Sequence, residues 1–124
     1  KYRNLLTKKL DIEAMKNASK VFLGSHDFTS FASSKIDPRK PRVKTISNIE
    51  ILEEGTDVHF IFEGTGFLRY QVRMMTGTLI AVGQHRIEVD DVQKMLNAKD
   101  KSACRYNASS CGLYLVEVKY NETN

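Results

Sequence analysis

The chain has 124 residues, 41% hydrophobic and 27% charged, which fits one globular domain with a real core and excludes both a disordered chain and two comfortable domains. Nineteen Lys and Arg against fifteen Asp and Glu leave a formal charge of +4. That mild excess is compatible with a polyanionic partner and is common without one. No run approaches the roughly 18 apolar residues of a membrane span, and no signal peptide is expected.

Cys104 and Cys111 are separated by six residues, and the histidines stand at 26, 59 and 85. Neither set has zinc-site spacing, and two reduced thiols in a cytosolic protein fit better than a disulfide. The first residue is Lys1, and KYRNLLTKKLD reads like the interior of something longer. An excised domain is therefore expected.

In LDIEAMKNASKVFLG (10–24), Ile12, Met15, Ala18, Ser19 and Phe22 recur at helical intervals. Asp11 sits where an N-cap would, Ala14 follows without completing a capping box, and Gly24 suits the stop. SHDFTSFASSKIDPRKPR (25–42) is polar, holds two prolines and reads as a loop pinned by Phe28 and Phe31. VKTISNIEILEEG (43–55) puts Val43, Thr45, Ser47, Ile49 and Ile51 on one parity, an imperfect strand. DVHFIFEG (57–64) alternates cleanly, and Glu54-Gly55-Thr56 between them predicts an antiparallel hairpin.

GFLRYQVRMMTGTLIAVGQ (66–84) reads as a long helix and 89–96 as a short one, before a last strand, GLYLVEVKY (112–120), expected to be half-buried. The order helix, strand, strand, helix, helix, strand predicts an α+β fold, helices on one face of a mainly antiparallel sheet.

On a helical wheel Leu68, Val72, Met75, Leu79 and Val82 form one stripe of the long helix, with Arg69 and Arg73 on its flank. So little of this helix is polar that burial nearly all round is expected. A guanidinium there needs a carboxylate or a phosphate. Either a carboxylate of this chain or an outside anion satisfies that need.

The segment 35–44 carries Lys35, Arg39, Lys40, Arg42 and Lys44 against Asp37 alone, as a phosphate-contacting loop or a solvated one. His26-Asp27 reads as a structural turn rather than an acid–base pair. Gly64-Thr65-Gly66 suits a tight strand-to-helix connection as well as a phosphate turn. No complete catalytic constellation stands in the chain.

The words HDFTSF (26–31), FEGTGFLRYQVRMMTGTLIAVG (62–83) and GLYLVEVKY (112–120), with LDIEAM (10–15), closely resemble the C-terminal half of the tRNA pseudouridine synthase A (TruA) family. The resemblance runs from Leu10 to Tyr120. It implies a pseudouridine synthase fold whose half resembles an RNA-recognition module. It also implies isomerisation of uridine to pseudouridine in the tRNA anticodon stem and loop, without metal or organic cofactor.

In that family an aspartate of a Gly-Arg-Thr-Asp motif in the N-terminal half attacks the ribose or abstracts its proton. The motif is absent from these residues. The resemblance implies that Arg73, of the Val-Arg motif, pairs with that aspartate across the domain boundary. Leu113 would line the uracil pocket, and Phe67 and Leu68 would shape the same cleft wall.

Arg69 is a candidate RNA contact, with Arg39, Lys40, Arg42 and Lys44. Two departures stand out: Ala108-Ser109-Ser110-Cys111 where many members have Ala-Pro, and Arg69-Tyr70 where relatives often carry two aromatics. The partners implied are tRNA, the N-terminal domain of the same protein and a second copy in a homodimer, in the cytoplasm and away from membranes. The rival reading is a stand-alone RNA-binding or protein-interaction domain without catalysis.

Overall fold

The computed structural model describes residues 10–32, 39, 41–54, 57–68, 70–100, 102–104, 106 and 114–120, with the backbone alone at Glu54, Tyr114 and Leu115. The opening KYRNLLTKK, Lys35, Asp37, Lys40, Gly55-Thr56, Arg69, the segment 108–111 and Gly112-Leu113 lie outside the described residues.

Helix α1 (Ile12–Ser19) starts where expected. Asp11 Oδ1 accepts the Ala14 N–H at 3.0 Å, and a short 3-10 turn, Lys20–Phe22, extends the element. Met15, Ala18 and Phe22 on its inner face are completely buried. Gly24 does not simply end the helix: it opens a short strand, β1 (Gly24–Asp27), antiparallel to β2 (Val43–Glu54). The polar loop read over 25–42 is corrected there. A four-residue edge strand with little burial carries no apolar alternation to betray it, and Ser25 and Thr45 hydroxyls meet across the pair at 2.6 Å. Phe28 and Phe31 do pin the segment that follows. Both are fully buried, and Phe31 meets Phe22 edge-on at 5.1 Å.

Strands β2 and β3 (Asp57–Gly64) form the expected hairpin, Glu54 opposite Asp57. The register shifts between Ile46 and Asn48, so Ser47 is the extra residue of a β-bulge, its Oγ donating to the Glu63 carbonyl at 3.2 Å. The bulge explains the imperfect alternation. Ile46 is buried before it and Ile51 after it, whereas Val43 and Ser47, placed by parity with Ile51, are exposed.

From β3 the chain crosses over through α2 (Gln71–Gly83) and α3 (Val89–Ala98) to β4 (Tyr114–Tyr120), which lies parallel to β3. A parallel neighbour requires such a crossover. The sheet order is β1-β2-β3-β4, with two of three pairings antiparallel. Ile51, Val58, Phe60 and Phe62 share one core with Met15, Met75, Leu79, Val82, Val92 and Leu96. Each fully buried Phe adds about 1.5–3 kcal/mol to that core. The α+β architecture is therefore as the sequence predicts. Gly83 lets α1 and α2 approach closely, because a Cβ there would fall 2.7 Å from Met15 Sδ. Among the described residues no helix is long and apolar enough to cross a membrane.

Candidate functional site

The end of β3 is pressed against β2. A Cβ on Gly64 would lie 2.5 Å from the Thr45 carbonyl oxygen, and that same oxygen accepts the Thr65 N–H at 3.0 Å. The chain then runs into α2 through Phe67 and Leu68. Phe67 is half-buried and meets Tyr120, the last residue of β4, edge-on at 5.8 Å. Leu68 points inward and belongs to the core. Its N–H donates to Gln71 Oε1 at 2.7 Å, while the Gln71 N–H donates to the Leu68 carbonyl at 3.0 Å. Gln71 is fully buried and its Nε2 donates to Met75 Sδ at 3.6 Å. This turn is thus locked from both sides.

Within the turn Tyr70 adopts φ 67° and ψ 0°, left-handed backbone that is rare for a bulky side chain. Such a conformation costs on the order of 1–3 kcal/mol and persists only where its surroundings over-determine it. Its carbonyl accepts the Met74 N–H at 2.9 Å, so Tyr70 is the N-cap and α2 begins at Gln71, not at Gly66. The left-handed residue is what breaks the longer helix read from the sequence.

Arg73 stands on the first turn of α2. Met75 to Leu79 are buried all round, as expected, but Arg73 is exposed, because a guanidinium without a buried partner stays in water. Among the described residues no carboxylate pairs with it. Its Cζ lies 5.6 Å from the Tyr70 ring centroid. The first turn of α2 has no acidic residue and no side-chain cap, so the helix dipole and Arg73 both present positive charge there.

The other sequence candidates distribute unevenly. The Lys44 side chain runs along the loop into α2, its Nζ 3.7 Å from where a Cβ on Gly66 would sit. Arg42 is half-buried beside Asp27 and Arg39 is exposed. Leu113 precedes Tyr114, which pairs with Val58 at the far end of β4 from Tyr120. His26 and Asp27 share no hydrogen bond. His26 Nε2 is 2.6 Å from the Leu23 carbonyl, and Asp27 Oδ1 accepts the Thr29 N–H at 2.9 Å. Burial works to raise the Asp27 pKa, but the Thr29 hydrogen bonds outweigh it and hold the carboxyl below its ordinary value. Cys104 is buried against the Thr78 hydroxyl at 3.3 Å, and burial pushes its thiol up, the setting of an unreactive structural cysteine.

Sequence reasoning noted Tyr70 only as a departure from the family pattern and assigned no role to it, to Gln71 or to Tyr120. The one visible signal was Gln71, a lone amide at the head of an apolar helix that needs its hydrogen bonds met indoors.

A family model described as tRNA pseudouridine synthase matches residues 18–121, which include the whole loop into α2. The chain belongs to the tRNA pseudouridine synthase family. Among its relatives is a protein of an Exiguobacterium species named tRNA pseudouridine synthase A, 42% identical over 123 residues, covering 99% of this chain and 50% of the relative. A Caulobacter vibrioides protein of the same name is 43% identical over 117 residues, 94% of this chain and 47% of the relative. A Bacillus cereus protein named tRNA pseudouridine synthase A 1 is 41% identical over 112 residues, 90% and 45% respectively. The chain thus spans about half the length of the curated relatives it matches.

Proposed function

We propose that this chain is the C-terminal half of a tRNA pseudouridine synthase of the TruA type. The reaction is an isomerisation. The aspartate of the other half attacks the ribose or abstracts its proton, the bond from ribose carbon 1′ to uracil N1 breaks, the base rotates, and carbon 5 bonds to carbon 1′ as the aspartate leaves the ribose or returns its proton. Carbon 5 loses a proton and N1 gains one, so atoms balance without an oxidant or cofactor.

One observation carries the proposal: Arg73 is exposed, without a described carboxylate partner, at a helix entrance that already favours negative charge. An aspartate placed there gains a charge-assisted, bidentate partner that keeps it ionised and fixes its rotamer. Leu113 is proposed to line the pocket of the extruded base, as apolar walls suit a flipped nucleobase, and Phe67, at the Tyr120 end of β4, to shape a separate stretch of the cleft wall with Leu68 behind it in the core. Among the described residues of the basic 35–44 segment, Lys44, beside Gly66, is the best placed to meet a tRNA phosphate, ahead of Arg39 and Arg42; Lys40 and Arg69 remain candidates for the same role. The proposal also takes the enzyme to be a cytoplasmic homodimer acting on the anticodon stem and loop, with the N-terminal half as Arg73's partner.

The test is Arg73→Ala and Arg73→Lys in the full-length protein, with pseudouridine formation and tRNA binding measured side by side. Activity should fall by about a hundred- to a thousandfold, the scale of losing one preorganised electrostatic group, while the tRNA affinity stays. Equal loss of both would make Arg73 a phosphate contact instead. Activity of residues 1–124 alone would refute the division of labour and favour an intact catalyst within this half.

A further inference from the structure

The turn into α2 would fold more easily with another residue at position 70. Leu68 and Gln71 hold it from inside by their reciprocal hydrogen bonds, whatever side chain position 70 carries. Glycine accepts φ 67° freely, and asparagine accepts it far better than an aromatic. Nor does burial explain the choice, since Tyr70 remains 41% exposed. A strained, exposed aromatic therefore stands where neither the backbone nor the core asks for one.

One contact that the aromatic makes is with Arg73. The guanidinium carbon is 5.6 Å from the ring centroid, inside the range in which a cation is attracted to a π face. The backbone of Tyr70 is also tied to the helix that carries Arg73. The Tyr70 carbonyl accepts the Met74 N–H, and the neighbouring Gln71 is anchored to Leu68 and Met75. An arginine on the exposed first turn of a helix otherwise samples many rotamers.

We propose that Tyr70 is a positioning residue: its ring, turned outward by the left-handed backbone, is a platform that holds the Arg73 guanidinium ready for the incoming carboxylate. The strain at position 70 is the means by which the ring reaches the guanidinium. The proposal rests on the assignment of Arg73 above and adds the residue that preorganises it.

The experiment compares Tyr70→Gly and Tyr70→Phe in the full-length enzyme, with Arg73→Ala as reference. Tyr70→Gly removes the ring and the strain together. Its kcat should fall about five- to thirtyfold while KM for tRNA stays within about twofold and the melting temperature holds or rises. Tyr70→Phe keeps the ring and should stay within about twofold of the parent in kcat.

The acid limb of the pH–rate profile supplies a readout that a merely structural role would not move. A loosely held guanidinium lowers the carboxylate pKa less, so the acid limb should shift to higher pH in Tyr70→Gly and stay in place in Tyr70→Phe. If Tyr70→Gly does not fold, Tyr70→Asn, which also tolerates the left-handed region, replaces it with the same expectations.

Parental kcat in Tyr70→Gly overturns the proposal. So does a Phe variant as damaged as the Gly variant, which would assign the effect to the hydroxyl. A raised KM with unchanged kcat overturns it too, by making Tyr70 an RNA contact. The two readings fail separately: an active Arg73→Ala defeats the assignment of Arg73, whereas an inactive Arg73→Ala beside a fully active Tyr70→Gly defeats only the platform.

Discussion

The three α-helices among the described residues begin in two different ways. At α1, Asp11 caps the first turn and Glu13 follows; His85 Nε2 lies 2.8 Å from Asp11 Oδ2, and that hydrogen bond holds the carboxyl below its ordinary pKa. At α3 a reciprocal capping box joins Glu88 and Asp91, with Asp90 adding charge. Both helices thus meet their positive ends with acids of their own. At α2 the arrangement is reversed: no acid, no side-chain cap, a left-handed Tyr70 and Arg73 on the first turn. The difference shows where the domain completes its own electrostatics and where it leaves them open. Helices α1 and α3 neutralise their dipoles locally, whereas among the described residues the head of α2 is left positive.

The largest expected effect tests whether the open entrance is held from inside. Gln71→Leu keeps the volume of the side chain but leaves the buried Leu68 N–H without its acceptor, which should destabilise the protein by about 1–3 kcal/mol in a denaturant titration. A loss below about 0.5 kcal/mol would mean that this amide does not lock the turn, and the strain at Tyr70 would then need another support.

The next effect tests the closed side. Glu88→Ala removes half of the capping box of α3 and should cost about 0.5–2 kcal/mol, read as a lower unfolding midpoint. No measurable loss there would erase the contrast, since an acid-capped helix start would then be worth no more than an uncapped one.

The sequence made the closed side far more legible than the open one. Asp11 before an apolar periodic run, and Phe60 and Phe62 in strict alternation, are local patterns with one structural solution, and both stand where expected. Elements that depend on distant neighbours read poorly. Strand β1 has no burial pattern of its own and exists because β2 offers it an edge. The Ser47 bulge changes parity in mid-strand, which a period-two reading cannot follow. Strand β4 alternates as cleanly as β3, yet Val116, level with the fully buried Phe60, is 41% exposed, and Tyr120 is 67% exposed. Alternation gives the faces of a strand but not what covers them. At the site, Arg73 was visible as a charge out of place in an apolar helix, whereas the backbone of Tyr70 was not, because a left-handed conformation is imposed by the turn and leaves no pattern in the flanking residues.

The smallest expected effect is the stability of Arg73→Ala, and its smallness is what sharpens the comparison. Two contributions oppose each other at this residue. A cation at a helix N-terminus is unfavourable by about 0.3–1 kcal/mol. Its contact with an exposed aromatic returns about 0.5–1 kcal/mol. With no carboxylate among the described residues paired to Arg73, truncation breaks no ion pair there, so the net change should stay within about 0.5 kcal/mol by denaturant midpoint. A destabilisation above about 1.5 kcal/mol would show that Arg73 belongs to the fold after all, and lost activity in that variant would then say nothing about chemistry. A neutral midpoint beside lost activity would separate the two kinds of helix entrance by experiment: acids at α1 and α3 that hold the domain together, and an arginine at α2 that the domain can fold without.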